Sequence, residues 1–270
     1  GDYNSQGSYN MLIKVHPEDE EVVYVGGTNL YRSNSGFADT TSTRWIGGYA
    51  IRNNISTYRN HHPDQHELVF ASDNPNKLYS SHDGGVSLTI QGTALQPVWS
   101  DLSNGYTTSQ FYTVAIDEET GGSALTIGGL QDNGSWLTNS TDFQTDWEFV
   151  GSGDGAFCAV ADQGRTIYVS SQFGRISRQE YDSPGGRFLA STRIDPEGGE
   201  DFDFINPFIL DPNNRDVMYL PARSVIWRNS GLGDIPFSGN PATVNWDSLR
   251  NTVIPDARIT ALAASTAVSY

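Results

Sequence analysis

Carboxylates and imidazoles gather in a few glycine-rich loops of this chain. His61-His62-Pro63-Asp64-Gln65-His66 sets three histidines around an aspartate, and His82-Asp83-Gly84-Gly85, Gln131-Asp132-Asn133-Gly134 and Gly151-Ser152-Gly153-Asp154-Gly155 add three further carboxylates. Three kinds of chemistry are open to such a set. Oxygen ligands suit Ca²⁺, and imidazole with carboxylate suits transition metals, with Asp64 and His66 as the candidate ligands. Two carboxylates about 6.5–9.5 Å apart hydrolyse a glycosidic bond with inversion, and Asp64 and Asp154 are the candidate pair. Without catalysis, His62, Asp64, Gln65, His66, Asp83, Gln131, Asp132, Asn133 and Asp154 form a polar surface for binding a ligand. Each loop taken alone has a simpler reading, because Asp-Gly and Asn-Gly are turn formers. The spacing matches neither a closed zinc site nor an EF-hand loop.

The elements that position these loops are short strands. Helical periodicity is nearly absent, and Gly, Asn, Asp, Ser and Thr punctuate β-branched and aromatic runs. An apolar strand recurs in units that start at Leu12, Glu67, Phe111, Ala156, Ile205 (whose strand is Phe208–Pro212) and Ile259, at intervals of 55, 44, 45, 49 and 54 residues. The first five are followed by second strands at Val22–Val25, Lys77–Ser80, Ala124–Ile127, Thr166–Val169 and Val217–Leu220. After a tight turn come third strands at Asn29–Ser33, Val86–Thr89, Ser135–Thr138, Arg175–Arg178 and Val225–Arg228. Trp45, Trp99, Trp147 and Trp246 mark a fourth, outer strand at matching positions, with Phe188 offered in the fourth unit. Four strands in each ~40–50-residue unit is the signature of a β-propeller blade. The blades fall at about 10–60, 61–110, 111–154, 155–204 and 205–258, and residues 259–270 read as the start of a sixth. Terminal blades need covering, so the chain reads as part of a larger propeller whose other blades come from further sequence or another chain. The loop entering each inner strand and the turn between second and third strands share one face. His62, Asp64, His66, Asp83, Asp132 and Asp154 are therefore expected on that face.

Ser33-Asn34-Ser35-Gly36 leading to Trp45, and Asn139-Ser140-Thr141-Asp142 leading to Trp147, resemble degenerate Asp-box (BNR) repeats. With Tyr24-Val25-Gly26-Gly27, Asp83-Gly84-Gly85-Val86 and the other loops, they are similar to the sortilin-like, BNR-repeat propellers of large secreted bacterial proteins, many from Bacteroidota. The likeness covers most of residues 10–230, although the boxes depart from the full Ser-x-Asp-x-Gly-x-Thr-Trp pattern. It implies a secreted or cell-surface location and a binding or scaffold role toward a glycan or a protein. It also implies the alternative of a glycoside hydrolase, since such propellers include sialidases and xyloglucan-degrading enzymes. A sialidase requires an arginine cluster, and Arg258, before the sixth inner strand, stands alone.

Composition narrows the partners. With 32 acidic and 16 basic residues the net charge is −16, a field that repels nucleic acid and anionic membranes. No apolar run approaches the ~20 residues of a membrane span, and Gly1–Ser5 does not read as a leader peptide. Cys158 is the sole cysteine, within Ala156-Phe157-Cys158-Ala159-Val160, and reads as a buried packing thiol. No Gly-x-Ser-x-Gly elbow, dinucleotide fingerprint or P-loop is present.

Overall fold

The computed structural model describes residues 3–49, 60–106 and 108–266. Among them there are strands, turns and short 3-10 segments, and no α-helix. The strands form five antiparallel four-stranded sheets, each with its strands in chain order. The first is β1 (Leu12–His16), β2 (Asp19–Gly26), β3 (Leu30–Ser33) and β4 (Thr43–Gly47). The second is β5 (Gln65–Ala71), β6 (Asn74–His82), β7 (Gly85–Thr89) and β8 (Ser100–Asp101). The third is β9 (Phe111–Ile116), β10 (Thr126–Leu130), β11 (Gly134–Thr138) and β12 (Glu148–Gly151). The fourth is β13 (Cys158–Ala161), β14 (Thr166–Ser171), β15 (Arg175–Tyr181) and β16 (Phe188–Arg193). The fifth is β17 (Ile209–Asp211), β18 (Asn214–Ala222), β19 (Val225–Asn229) and β20 (Trp246–Leu249). Five consecutive four-stranded meanders make a propeller-like, all-β architecture.

The chain divides into two compact units, Gly1–Thr107 with two blades and Thr108–Tyr270 with three. Within each, alternate strand positions bury their side chains between neighbouring blades. In the first unit Val22, Tyr24, Leu30 and Ile46 of the first blade meet Leu68, Leu78 and Trp99 of the second. In the second unit, Leu125, Ile127 and Leu137 pack with Val160, Ile167 and Val169, while Tyr168, Ile176 and Ile194 pack with Leu210, Met218 and Leu220. Buried arginines also tie the blades together. Arg32 of β3 reaches the carbonyls of Gly92 (2.6 Å) and Ala94 (2.7 Å), in the loop after the next blade's third strand. Arg178 of β15 reaches those of Leu232 and Ile235 in the corresponding loop of the fifth blade.

Strand pairing corrects the expected match of the outer tryptophans. Trp246 lies opposite Asn229, and Asp247 opposite Arg228. Ser100 and Glu148 lie opposite Leu88 and Leu137 in the same way, so Trp99 and Trp147, one residue earlier, match Trp246. Trp45 does not match: it opposes Tyr31, and Thr43 opposes Ser33, a shift of two residues along the strand. Phe188 is corrected too. It pairs with Tyr181 beyond a bulge and stacks edge-on against it, and the residue opposite Gln179, at the tryptophan position, is Ser191. Several strand limits also differ: the inner strand expected from Ala156 begins at Cys158, the second strands expected from Lys77 and Ala124 begin at Asn74 and Thr126, and residues 253–266 hold no strand. Ile259 N–H nevertheless donates to the Arg223 carbonyl in the β18–β19 turn (2.7 Å), much as Gln65 N–H donates to Gly27 O after β2 (2.9 Å). The remainder of the expected sixth start, 267–270, lies outside the described residues. The Cys158 thiol packs against the core of the third and fourth blades, where burial pushes its pKa up to about 12.

Candidate functional site

In the first unit, the segment entering β5 is laid against the turns of both blades. Asp64 N–H donates to Thr28 O (2.9 Å), Gln65 N–H to Gly27 O, and Asp83 N–H to Asp64 O (3.2 Å). This brings Asp64, Gln65, His66 and Asp83 to one end of the unit, and most of their polar atoms hold that end together. Asp64, at φ 65°, accepts from the Asn10 amide (2.6 Å), and His66 pairs with Asp83, which also receives the Tyr9 hydroxyl (3.3 Å). Gln65 is fully buried and donates to His62 O (2.8 Å). Asp83 and Gly84 form the two-residue β6–β7 turn.

Beneath this end lies a histidine layer. Gly48 N–H donates to His61 Nδ1 (3.1 Å), so His61 is a neutral imidazole that presents Nε2–H to Ser80 Oγ (3.0 Å). Ser87 donates to Asn60 O (2.9 Å) and therefore accepts from His82 Nε2–H (2.8 Å), leaving His82 Nδ1 buried without a partner. Burial, together with the neighbouring His62, lowers the His82 pKa to about 4; burial, with His82 and His62 nearby, puts that of His61 well below the usual histidine range.

In the second unit, Asp154 is buried and accepts from Asp132 N–H (2.9 Å) and from Gln172 Nε2 (2.6 Å). Its carboxylate therefore ties the turn after β10, the loop entering β13 and the turn after β14 into one rim. Glycine makes the approach possible: a Cβ on Gly129 would strike the Ala156 carbonyl, and one on Gly155 the Gly134 carbonyl. Asp132 adopts φ 56° in its turn, Asn133 donates to Gln131 O (3.0 Å), and Trp136 Nε1 donates to Asn133 O (2.6 Å). Asp64 and Asp154 thus sit in separate units, and each accepts hydrogen bonds that shape its own loops. The described residues contain no group of three or more His, Cys, Asp or Glu able to share a cation.

Directly below the Asp154 rim, a groove of about 850 Å³ runs between the third and fourth blades. One wall is Phe149, Val150 and Gly151 of β12 with Ser152 and Gly153; the other is Val169–Phe173 and the β15 residues Arg175, Ser177 and Gln179, with Phe204 beside them. Arg175 is the one charged side chain in this lining. Phe173 holds φ 59°, uncommon for an aromatic residue, and is 63% exposed, its ring edge-on to Phe204 at 5.5 Å. The floor is Gln179, whose Oε1 receives the Tyr181 hydroxyl (2.9 Å) and whose Nε2 donates to Val150 O (2.6 Å). None of the sequence candidates lines this groove; Asp154 is linked to it through its hydrogen bond from Gln172, a lining residue. Phe149, Phe173, Arg175 and Gln179 were not anticipated; the missing tryptophan of the fourth blade was the available signal.

No family model and no curated protein matches the chain. Among solved structures, a luciferin-regenerating enzyme is similar at 10% identity and a TM-score of 0.37, over 93% of this chain and 78% of that one. U3-55K (10%, TM-score 0.33) and the RRP9 WD40 repeats (11%, TM-score 0.34) are each matched over 89% of this chain. The match spans 64% and 63% of those two proteins, less than two thirds. The propeller-like reading rests on the sheet order and register above.

Proposed function

We propose that this chain is a binding module of a secreted or cell-surface protein, of the sortilin-like, BNR-repeat kind, and that it holds a partner protein in the groove between its third and fourth blades. The observation that carries this reading is the groove itself: a large concave surface lined by exposed phenyl rings, serine hydroxyls, backbone amides and one arginine, under a rim fixed by the buried Asp154. Concave, mostly preformed sites with a few placed polar groups are where ligands bind. Phenyl rings beside hydroxyls also suit a sugar ring, so a glycan is the second reading. The carboxylates at Asp64 and Asp154 shape their loops, which favours binding over hydrolysis.

Selection from a random peptide library, run beside a glycan array, tests this. Peptides enriched on the native chain and lost on Phe173→Ala or Arg175→Ala are the expected result. Glycans bound with the same dependence would favour the second reading. Enrichment indifferent to both substitutions would overturn the groove as the site.

A further inference from the structure

The outer-strand register separates the second, third and fifth blades, which carry an indole in this row, from the first and fourth, which carry Thr43 and Ser191 there. Trp99 Nε1 donates to Ile46 O and Trp246 Nε1 to Ile194 O, both at 2.7 Å, so an indole closes the seam with the preceding blade in each case. Ile46 is the extra residue of a bulge in β4, between the pairs Leu30–Gly47 and Tyr31–Trp45. Val150 holds the same place in β12, between Ser135–Gly151 and Trp136–Phe149. The Val150 carbonyl therefore stands where an indole from the fourth blade belongs. That blade has Ser191 there instead, and Gln179, directly opposite and on the same face, supplies the hydrogen bond. The side-chain amide replaces the bond but not the volume. The seam closed by Trp99 keeps a cavity of about 220 Å³, whereas the groove in the seam of the third and fourth blades, lined by Val150 and Gln179 and not by Ser191 itself, reaches about 850 Å³.

We propose that this seam accepts an aromatic side chain, a tryptophan before others, carried by a segment of the partner protein and inserted where the second and fifth blades supply their own. The inference rests on the groove being the binding site. The slot's geometry repeats two seams of the same molecule in which an indole fits, and Phe149, Phe173 and Phe204 offer ring edges and faces for offset or edge-on contact. Tryptophan, with tyrosine and arginine, is also enriched at the pocketed hot spots of protein interfaces.

The test uses the full chain with 5-fluoro-N-acetyl-tryptophanamide followed by ¹⁹F NMR, and N-acetyl-leucinamide as the control. Binding of the indole and not of the leucine probe is expected, with affinity about tenfold weaker or worse in Ser191→Trp, where the slot is filled from within. Ser191→Trp should also raise the melting temperature; if it fails to fold, Ser191→Phe gives the same reading. No binding of the indole probe, or binding unchanged by filling Ser191, would overturn the proposal. Groove-dependent peptides without aromatic residues would overturn it too and leave the binding reading standing, whereas loss of all groove-dependent binding would remove both.

Discussion

His61 and His82 are imidazoles that the first unit holds neutral. Each uses its one ring N–H on a serine, and neither has a carboxylate within hydrogen-bonding distance to stabilise a second proton. Their folded-state pKa values lie below the unfolded value of about 6.5, so the stability they contribute is present above that pH. It is lost as pH falls toward about 4, where His82 titrates. The unfolded chain then binds protons that the folded unit refuses. Lowering the pH from 7 to 5 should cost the first unit roughly 1–2 kcal/mol through His82. Urea unfolding at the two pH values, on the native chain and on His82→Gln, measures this; an unchanged pH dependence in the variant would count against the buried neutral imidazole. Arg178 shows the opposite strategy at the same scale. A guanidinium 4% exposed is tolerated because it crosses to the carbonyls of Leu232 and Ile235, and Phe237 lies 5.7 Å from it as a ring partner.

The fourth strand of each blade decides how its seam closes. Trp99 is 5% exposed and Trp246 is half-buried, and each indole satisfies a carbonyl of the preceding blade. Trp99→Phe and Trp246→Phe should each cost about 1–3 kcal/mol, because a buried acceptor loses its donor. Trp45→Phe should cost under about 0.5 kcal/mol, since Trp45 is 38% exposed and bonds only to Gly47 of its own strand. Equilibrium denaturation of the three variants separates these cases, and equal losses would refute the assignment of Trp45 to a different register. The sequence pattern made the strands themselves legible, because alternation and turn residues recur with every blade. Register was not legible. A slip of two residues leaves the same side chains on the same face, so Trp45 follows the pattern while sitting in another row. In the fourth blade, a bulge beside Tyr181 and a loop of different length made Phe188 look equivalent when the tryptophan position belongs to Ser191. The acidic loops were legible as turns. Their side-chain partners, such as Asn10 for Asp64 and Gln172 for Asp154, come from residues distant in sequence or from neighbouring turns, and no spacing rule announces them.

At the scale of the whole chain, an average charge of −16 disfavours acidic partners, while the repeat supplies one stable scaffold several times over. Departures from the repeat are therefore informative: the fourth blade has Ser191 where the second, third and fifth have tryptophan, and it borders the groove of about 850 Å³. The arginines Arg32 and Arg178 and the indoles Trp99 and Trp246 hold successive blades together from within each unit. The proposed binding site is a seam of the same design that no indole closes. The most direct measurement is a crystal structure of the full chain grown with N-acetyl-tryptophanamide. The account predicts the indole between β12 and β14–β15, against Val150 and Gln179. An indole lodged elsewhere, with this seam closed over Ser191, would contradict it.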